Sequence, residues 1–305
     1  MSTERPSPRY SGIDVWDPSD ILDALIEGQF AAVAAVRAVR PAIAHAAGAI
    51  EARLRDSGRL IYAGAGTSGR LAVQDGAELI PTFDWPPERL LLLMAGGQEA
   101  LLKSIEGAED EAEHAVRLVR KHNIHANDVV IAVAASGKTP FTLACLRESK
   151  ERGALTVGIA NNRDTPILEE ADHPIWLDTG SEPIAGSTRM NAGTSQRITL
   201  NLLSSLVMIL LGRVYEGLMV DLKAVNEKLV QRSENIVMRL TSRSRADARA
   251  ALKQADGSIK VAVLLLHGCD LDEATTALNR TGGQLRRALA LLGKPGAESG
   301  EGDDR

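Results

Sequence analysis

RLIYAGAGTSGR, residues 59–70, is the stretch that decides the fold class of this 305-residue chain. It begins with a short apolar run that is typical of a buried strand, and it continues into a glycine-rich turn that opens a helical pattern. Similar apolar runs recur along the chain, and helical stretches such as 109–121 and 139–152 lie between them. The other predicted strands are 90–94, 129–134, 155–160 and 175–177.

Strands that alternate with helices at this spacing indicate βαβ units and a parallel sheet, so the predicted fold class is α/β. An N-terminal arm, extended over 1–17 and then helical, precedes the sheet. A long helix over 188–212 is apolar nearly all round, which favours a place in the core or in a subunit interface. The predicted domains are 1–57 for the arm and its helices, 58–221 for a three-layer sheet domain, 222–292 for a small C-terminal helical domain, and 293–305 for a disordered tail.

Charge and composition exclude several classes of protein. The formal net charge is -5, and the chain lacks the basic face of a nucleic-acid-binding protein, so we expect no nucleic-acid partner. No run of about 18 apolar residues occurs, which predicts no membrane span. Cys145 and Cys269 lie in apolar stretches and the six histidines show no metal-ligand spacing, so we expect buried thiols and neither a metal nor another cofactor. Together with a polar N-terminus, this predicts a cytoplasmic protein.

The glycine-rich turn at 64–70 has competing interpretations. It fits the dinucleotide pattern G-x-G-x-x-G, but that pattern needs an acid at the end of the second strand, where the sequence is AGG at 95–97. A plain tight turn is a second interpretation. The favoured one is a phosphate cradle, in which exposed NH groups and hydroxyls at a helix N-terminus hold an anion. The predicted cradle consists of Gly66, Thr67, Ser68 and Gly69.

Two further loops place hydroxyl groups at predicted helix starts. ASGKTP at 135–140 follows an apolar strand, and GSTRMNAGT at 186–194 opens the long helix. One such loop is weak evidence, but three at the strand ends of one sheet indicate a common ligand. The predicted phosphate-binding residues in these two loops are Ser136, Gly137, Thr139, Ser187, Thr188 and Arg189.

The pairing of GAGTSGR with ASGKTP resembles the sugar isomerase (SIS) domain, a phosphosugar-binding fold. Further motifs cover nearly the whole chain: TE at 3–4, GRLIYAGAGTSGRL at 58–71, DGAELIPTF at 75–83, AGG at 95–97, EGAED at 106–110, GSTRMNAGTSQR at 186–197 and GLMVDLKAVNEKL at 217–229. This combination resembles the N-acetylmuramic acid 6-phosphate etherase family. The resemblance implies an SIS domain at 58–221, a homodimer, and a lyase of cell-wall amino-sugar catabolism and peptidoglycan recycling.

The resemblance also implies that Glu78 and Glu109 are catalytic, because these positions match the family's two functional glutamates. Taken alone, both would be ordinary acids near helix ends. In the implied reaction a base removes the C2 proton of the open-chain sugar, and an acid protonates the C3 ether oxygen as D-lactate leaves. We assign Glu78 as the acid and Glu109 as the base. The apolar neighbours of Glu78 predict a setting that favours a protonated carboxyl group.

Three features leave questions open. A sugar-phosphate isomerase of the same fold and a non-catalytic phosphosugar-sensing regulator are alternative functions. Asn191 and Arg197 stand where the family usually has lysine, which predicts weaker anion binding or a neutral hydrogen-bonding role at 191. A straight helix from Ser68 would place Glu78 about 15 Å from the cradle. Either that helix breaks near 75–76, or a second subunit supplies one of the two parts.

Overall fold

The computed structural model describes residues 1–55, 57–222, 224 and 226–296. Its centre is a five-stranded parallel sheet with the strand order β2-β1-β3-β4-β5, which confirms the predicted α/β class. Most of the predicted tail, from 297 onward, lies outside the described residues. The strands are β1 (Leu60–Gly64), β2 (Leu90–Met94), β3 (Val129–Val133), β4 (Leu155–Ala160) and β5 (His173–Trp176).

Helices cover both faces of the sheet. On one face Ile61 and Val130 pack with Phe141 and Cys145 in a fully apolar cluster. On the other face Tyr62 contacts the helix that follows β1. Alternate residues of each strand point to opposite faces, so strands buried on both sides read as continuous apolar runs. The helices are α1 (Pro18–Ala38), α2 (Arg40–Leu54), α3 (Gly66–Phe83), α4 (Ala112–Lys121), α5 (Pro140–Glu151), α6 (Pro166–Glu170) and α7 (Asn191–Leu210).

The N-terminal segment, predicted as an extended arm, contains two short 3-10 turns, Pro8–Tyr10 and Ile13–Val15, and is anchored at Thr3. Thr3 is fully buried, and its hydroxyl accepts a hydrogen bond from Nδ2 of Asn162 at 2.9 Å. The carbonyl of Thr3 accepts from the backbone NH of Gly186 at 3.0 Å. Asn162 also donates to the carbonyl of Ala135. The start of the chain therefore ties together two of the three predicted ligand-binding loops, which no local pattern could indicate.

The chain is divided into two compact units. The first comprises 1–78 and 86–207, and the second comprises 79–85 and the described residues from 208. The second unit contains a short antiparallel pair, β6 (Val214–Tyr215) and β7 (Leu218–Met219). Its helices are α8 (Glu227–Thr241), α9 (Arg245–Gln254), α10 (Ile259–Leu266), α11 (Leu271–Arg280) and α12 (Leu285–Leu291). The predicted domain boundaries stay a prediction.

Local capping explains where the helices of the second unit begin. Asn226, Ser244, Ser258 and Asp270 each accept a hydrogen bond from a backbone NH in the first turn of the helix that follows. Such caps satisfy NH groups that have no partner within the helix. Small and branched apolar residues form the core between these helices. Among the described residues, no helix combines the length and the apolar character needed to cross a membrane.

Candidate active site

The turn between β1 and α3 is compact because two glycines pack against each other. A Cβ atom on Gly64 would lie 2.8 Å from Cα of Gly69, and one on Gly69 would lie 2.8 Å from the carbonyl of Gly64. Gly66 adopts a left-handed φ of 54° with open space beside its Cα. The turn therefore requires glycine at these positions, and Gly66 presents bare backbone to the space beside it.

The second predicted loop is ordered by its own hydroxyl groups. The Oγ atoms of Ser136 and Thr139 lie 3.1 Å apart, and Oγ of Ser136 accepts from the NH of Lys138. Gly137 has a left-handed φ of 66°, and a Cβ there would lie 2.2 Å from Oγ1 of Thr165. Ser136 and Thr139 are half-buried. They stand at the start of α5, as the sequence predicted.

The third loop lies against the first loop. The side chain of Glu182 occupies the N-terminal end of α7, the helix that follows the third loop. A Cβ on Gly193 would lie 3.2 Å from the carbonyl of Thr188 and 3.5 Å from Cγ2 of Thr67. Ser187, Thr188 and Arg189 lie in the turn before α7. The buried Glu182 accepts from the first backbone NH groups of α7, at Asn191 (2.8 Å) and Ala192 (2.9 Å).

Glu182 was missed by the sequence analysis, and its burial changes what the third loop can offer. Burial raises the pKa of Glu182, and the two backbone NH groups that it accepts from oppose that rise. Because the carboxylate already satisfies these NH groups, they are not open to a substrate phosphate. The loop therefore has hydroxyls and the side chain of Arg189 to offer a ligand.

A cavity of about 250 Å³ opens between the first loop and the segment after β2. It brings Gly66 of the predicted cradle together with the predicted base Glu109. Arg70 and Glu106 also line the cavity. They belong to the motifs at 58–71 and 106–110, but they are not among the predicted site residues. Glu78 and the predicted residues of the second and third loops do not line it. The lining residues are Gly66, Arg70, Met94, Ala95, Ala100, Ser104, Ile105, Glu106, Gly107, Ala108 and Glu109.

Arg70 joins the two walls of this cavity. Its Nε donates to the carbonyl of Ala100 at 2.9 Å, and its Nη2 donates to the carbonyl of Lys103 at 3.4 Å. Arg70 belongs to α3, whereas the two carbonyls precede the stretch that carries Glu106 and Glu109. The planar guanidinium suits two acceptors at once, which a lysine ammonium would not reproduce. Arg70 thus holds the glutamate-bearing stretch beside the glycine loop.

Glu109 lies on a single 3-10 turn, Ala108–Asp110, and not in the first turn of a long helix as the sequence predicted. Gly107 precedes it with a left-handed φ of 71°, and Glu111 leaves helical geometry with a ψ of 70°. α4 therefore starts at Ala112. The side chain of Glu109 is exposed and borders the cavity.

Glu78 occupies a different environment. α3 runs without a break from Gly66 to Phe83, so the helix break near Asp75 and Gly76, one of the two alternatives that the sequence left open, does not occur. A Cβ on Gly76 would lie 2.7 Å from Cδ2 of Leu92, which shows that this glycine serves close helix–sheet packing. The side chain of Glu78 is exposed, so the apolar setting predicted for it is not supplied by its own chain.

A buried polar network holds this part of α3. Tyr62 donates to Oδ2 of Asp75 at 2.9 Å, and Nη1 of Arg197 lies 3.4 Å from Oδ1 of the same carboxylate. Burial raises the pKa of Asp75, while hydrogen bonds from Tyr62 and Ser204 and the charge of Arg197 oppose that rise. Arg197 therefore acts within the fold by pairing with Asp75.

Asn191, for which the sequence left two roles open, is buried. Its Oδ1 accepts from Nε2 of Gln29 at 3.3 Å, and a Cβ on Gly28 would lie 2.5 Å from the same atom. This contact with α1 fits the neutral hydrogen-bonding role among the two sequence-based alternatives. Across the described ranges, no group of three His, Cys, Asp or Glu side chains is arranged to hold a metal ion.

Comparison with known proteins agrees with this architecture. The family model of the SIS domain matches residues 99–206, and that of the N-terminal SIS domain of glucokinase regulatory protein matches residues 42–150. Among solved structures, a phosphoheptose isomerase from Francisella tularensis aligns with a TM-score of 0.50. It covers 64% of this chain and all of its own at 19% identity, so it supports the fold alone.

Curated relatives align over almost their whole length. N-acetylmuramic acid 6-phosphate etherase of Deinococcus radiodurans is 46% identical, with 94% of each chain covered. The etherase of Halalkalibacterium halodurans is 41% identical over 96% of this chain and 98% of its own. That of Streptomyces coelicolor is 44% identical over 95% of this chain and 94% of its own. The chain therefore belongs to the N-acetylmuramic acid 6-phosphate etherase family.

Proposed function

We propose that this protein is a carbon–oxygen lyase that cleaves the D-lactyl ether of N-acetylmuramic acid 6-phosphate. The products are N-acetylglucosamine 6-phosphate and D-lactate. The observation that carries the proposal is full-length identity to etherases at 41–46%. The cavity that unites Gly66 with Glu109 supports it, because a sugar phosphate needs an anion site and a base within one ligand's reach.

The reaction proceeds by elimination followed by addition of water. In the open-chain sugar, Glu109 takes the C2 proton, and the electron pair of the C2–H bond forms the C2–C3 double bond. The C3–O bond breaks, its electron pair stays on the ether oxygen, and Glu78 protonates that oxygen as D-lactate leaves. Water then adds its hydroxyl to C3 and a proton to C2. One carboxyl must be ionised while the other is protonated, so the two need different environments.

Glu78 reaches such a site from a second copy of the chain. Along an unbroken α3, Glu78 lies about 15 Å from Ser68, farther than the reacting carbons of a hexose lie from its own phosphate. With the predicted helix break absent, a partner subunit is the remaining source of the acid. We therefore propose a homodimer in which Glu109 of one subunit and Glu78 of the other act on one substrate. The partner would also remove water from around Glu78.

The outer face of α1 supports this second copy. Leu22, Ile26, Phe30 and Val33 follow one another at spacings of four, four and three residues, so they form one stripe on the helix. All four are at least half exposed, and Phe30 is 69% exposed. An apolar stripe of this size on a surface helix is typical of a protein interface. The opposite face of α1 is buried through small residues such as Ala32 and Ala35.

The phosphate is assigned to backbone and hydroxyl groups of the first two loops, with the third loop as a further contributor. Gly66, Thr67, Ser68 and Gly69 form the first part, and Ser136, Gly137 and Thr139 form the second. Ser187, Thr188 and Arg189 stay predictions for the third. The place of the reaction in peptidoglycan recycling and the cytoplasmic location also stay predictions.

The test is incubation of the purified protein with N-acetylmuramic acid 6-phosphate, followed by enzymatic assay of D-lactate and of N-acetylglucosamine 6-phosphate. Equal amounts of both products are expected. Ketose phosphate formed from an aldose phosphate, without lactate, would instead identify an isomerase. Binding of the substrate without any product would identify a regulator.

A further inference from the structure

The C-terminal end of α3, which follows the proposed acid Glu78, has two features that weaken a helix. Pro81 lies inside the helix, and proline has no backbone NH. The carbonyl of Ala77 therefore lacks the donor that a helix normally supplies four residues later. The final carbonyls of a helix also have no partners within it. The part of α3 around Glu78 therefore needs partners from outside the helix.

Arg213 supplies such partners. It belongs to the same compact unit as the segment 79–85, which contains the end of α3. Nη1 of Arg213 donates to the carbonyl of Phe83 at 2.6 Å and to that of Asp84 at 3.1 Å. Its guanidinium carbon lies 5.1 Å from the ring centroid of the buried Trp85. Because the helix dipole favours a cation at this end, Arg213 caps α3 by both charge and hydrogen bonds.

The turn after α3 has the geometry of a fixed helix end. Asp84 adopts a left-handed φ of 50°, which is a common way for a helix to terminate. The NH of Trp85 donates back to the carbonyl of Leu79 at 3.3 Å. Trp85 is 1% exposed, so the far side of the turn is held in the core. Arg213 therefore binds a turn with a defined conformation.

Two further side chains of the second unit hold Arg213 in place. Nζ of Lys260 lies 2.6 Å from Oδ2 of Asp221, and Nη1 of Arg213 lies 3.8 Å from the same oxygen. Lys260 is buried, which lowers its pKa, and the charge of Asp221 opposes that change. Asp221 lies in the stretch GLMVDLKAVNEKL at 217–229, for which the candidate active site provides no role. Asp221 thus joins a buried cation to the arginine that caps α3.

Glu78 stands between two anchors on one helix. Before it, Asp75 is held by the buried polar network of α3. After it, Arg213 holds the helix end at Phe83, about 7.5 Å farther along the axis. We propose that Arg213 is a positioning residue for Glu78, a role that rests on the proposed function. By fixing the end of α3, it keeps the carboxyl group in the place from which it protonates the leaving oxygen.

Kinetics of Arg213→Gln test this role, because the two halves of the reaction respond differently. The variant should lower kcat for D-lactate release about tenfold with little change in KM. Exchange of the C2 proton with deuterated solvent, which depends on Glu109, should stay at the wild-type rate. Arg287→Gln removes an exposed arginine of the same unit and should behave like the wild type. Equal loss of lactate release and C2 exchange would overturn the proposal.

A double variant separates positioning from a general effect on the fold. In a Glu78→Gln background, Arg213→Gln should lower lactate release by less than about twofold, because a positioning residue acts through its partner. The same loss in both backgrounds would instead identify a purely structural role. Arg213→Lys keeps a positive charge and a donor for the carbonyl of Phe83, so it should lose about threefold. It completes the same cycle where Arg213→Gln melts below the assay temperature.

Hydrogen exchange tests the anchor without reference to activity. Amide exchange over 79–85 should be faster in Arg213→Gln than in the wild type and unchanged in Arg287→Gln. Unchanged exchange in Arg213→Gln would overturn the anchor. Absence of D-lactate from the wild type would contradict the proposed function itself, whereas a full rate of lactate release from Arg213→Gln would contradict the positioning role alone.

Discussion

Glu109 and Glu78 lie in regions that are built in opposite ways. Glu109 stands on an irregular stretch with two 3-10 turns and left-handed glycines, next to the glycine loop and bordering the cavity. Glu78 stands on a long regular helix that is fixed by Gly76 against the sheet and by the Asp75 network. The first region shapes a cavity within the chain. The second presents its carboxylate outward on a rigid support.

This difference indicates how the proposed acid–base pair can be divided between two subunits. A carboxylate on an exposed, rigid helix keeps one position relative to its own subunit, so it suits delivery to a neighbouring subunit. A carboxylate on a short turn adapts to the ligand beside it but needs other groups to hold the turn. Arg70 is the side chain that does so here. The following predictions test this contrast, beginning with the largest expected effect.

Replacing the base should abolish turnover. Glu109→Gln keeps the size of the side chain but cannot accept the C2 proton, so we expect D-lactate release to fall by about 10³-fold. Exchange of the C2 proton with deuterated solvent should be lost equally. Glu113→Gln, an exposed acid on the nearby α4, is the matched control and should remain active. Retained C2 exchange in Glu109→Gln would contradict the assignment of the base.

Replacing the acid should separate the two halves of the reaction. Glu78→Gln should lower D-lactate release by about 10²-fold, because the ether oxygen then leaves without a proton donor. C2 exchange should persist, since the base is intact. The measurement is lactate release and solvent deuterium incorporation on the same sample. Loss of exchange here, with exchange kept in Glu109→Gln, would interchange the two roles.

Loosening the turn should have an intermediate effect. Arg70→Lys keeps the positive charge but lacks the two separate nitrogens that bind the carbonyls of Ala100 and Lys103, so the turn of Glu109 should be held less firmly. We expect kcat to fall about tenfold with little change in KM, because small displacements of a base are costly for proton transfer. Steady-state kinetics and the pH profile of kcat/KM measure this. A rise in KM at unchanged kcat would identify Arg70 as a phosphate ligand instead.

Mixing the two inactive variants should restore part of the activity. If each site takes Glu109 from one subunit and Glu78 from the other, a mixed dimer contains one intact site. Random exchange of subunits then restores about a quarter of wild-type activity. Unmixed variants at the same total concentration are the control. If subunits exchange, as mass spectrometry can verify, and no lactate is formed, both glutamates belong to one chain.

The strands and the glycine turn could be predicted because their causes are local. Neighbouring residues such as Ile61 and Tyr62 point to opposite faces of the sheet and are both buried, which leaves an unbroken apolar run in the sequence. Gly64 and Gly69 are needed by one tight turn within a few residues. The start of α4 was predicted three residues early, because an acidic run at 109–111 looks like a favourable first turn. Glu111 has a non-helical backbone conformation, so α4 begins only at Ala112.

Other features depend on residues far apart in the chain and left no local signal. Thr3 is buried by Asn162, 159 positions away, and Asn191 is packed on Gly28 of α1. In the sequence, nothing distinguishes Glu182 from a surface acid, because its partners are the first backbone NH groups of α7, at Asn191 and Ala192.

The sequence by itself determined the parallel α/β sheet and the places where three hydroxyl-rich loops meet helix starts, because short-range periodicity encodes them, whereas the pair of glutamates was predicted from the family resemblance. Only the tertiary structure decided that Glu109 shares a cavity with the glycine loop while Glu78 does not. The physical reason is that an unbroken helix separates Glu78 from the cradle, whereas Arg70 draws the turn of Glu109 toward it.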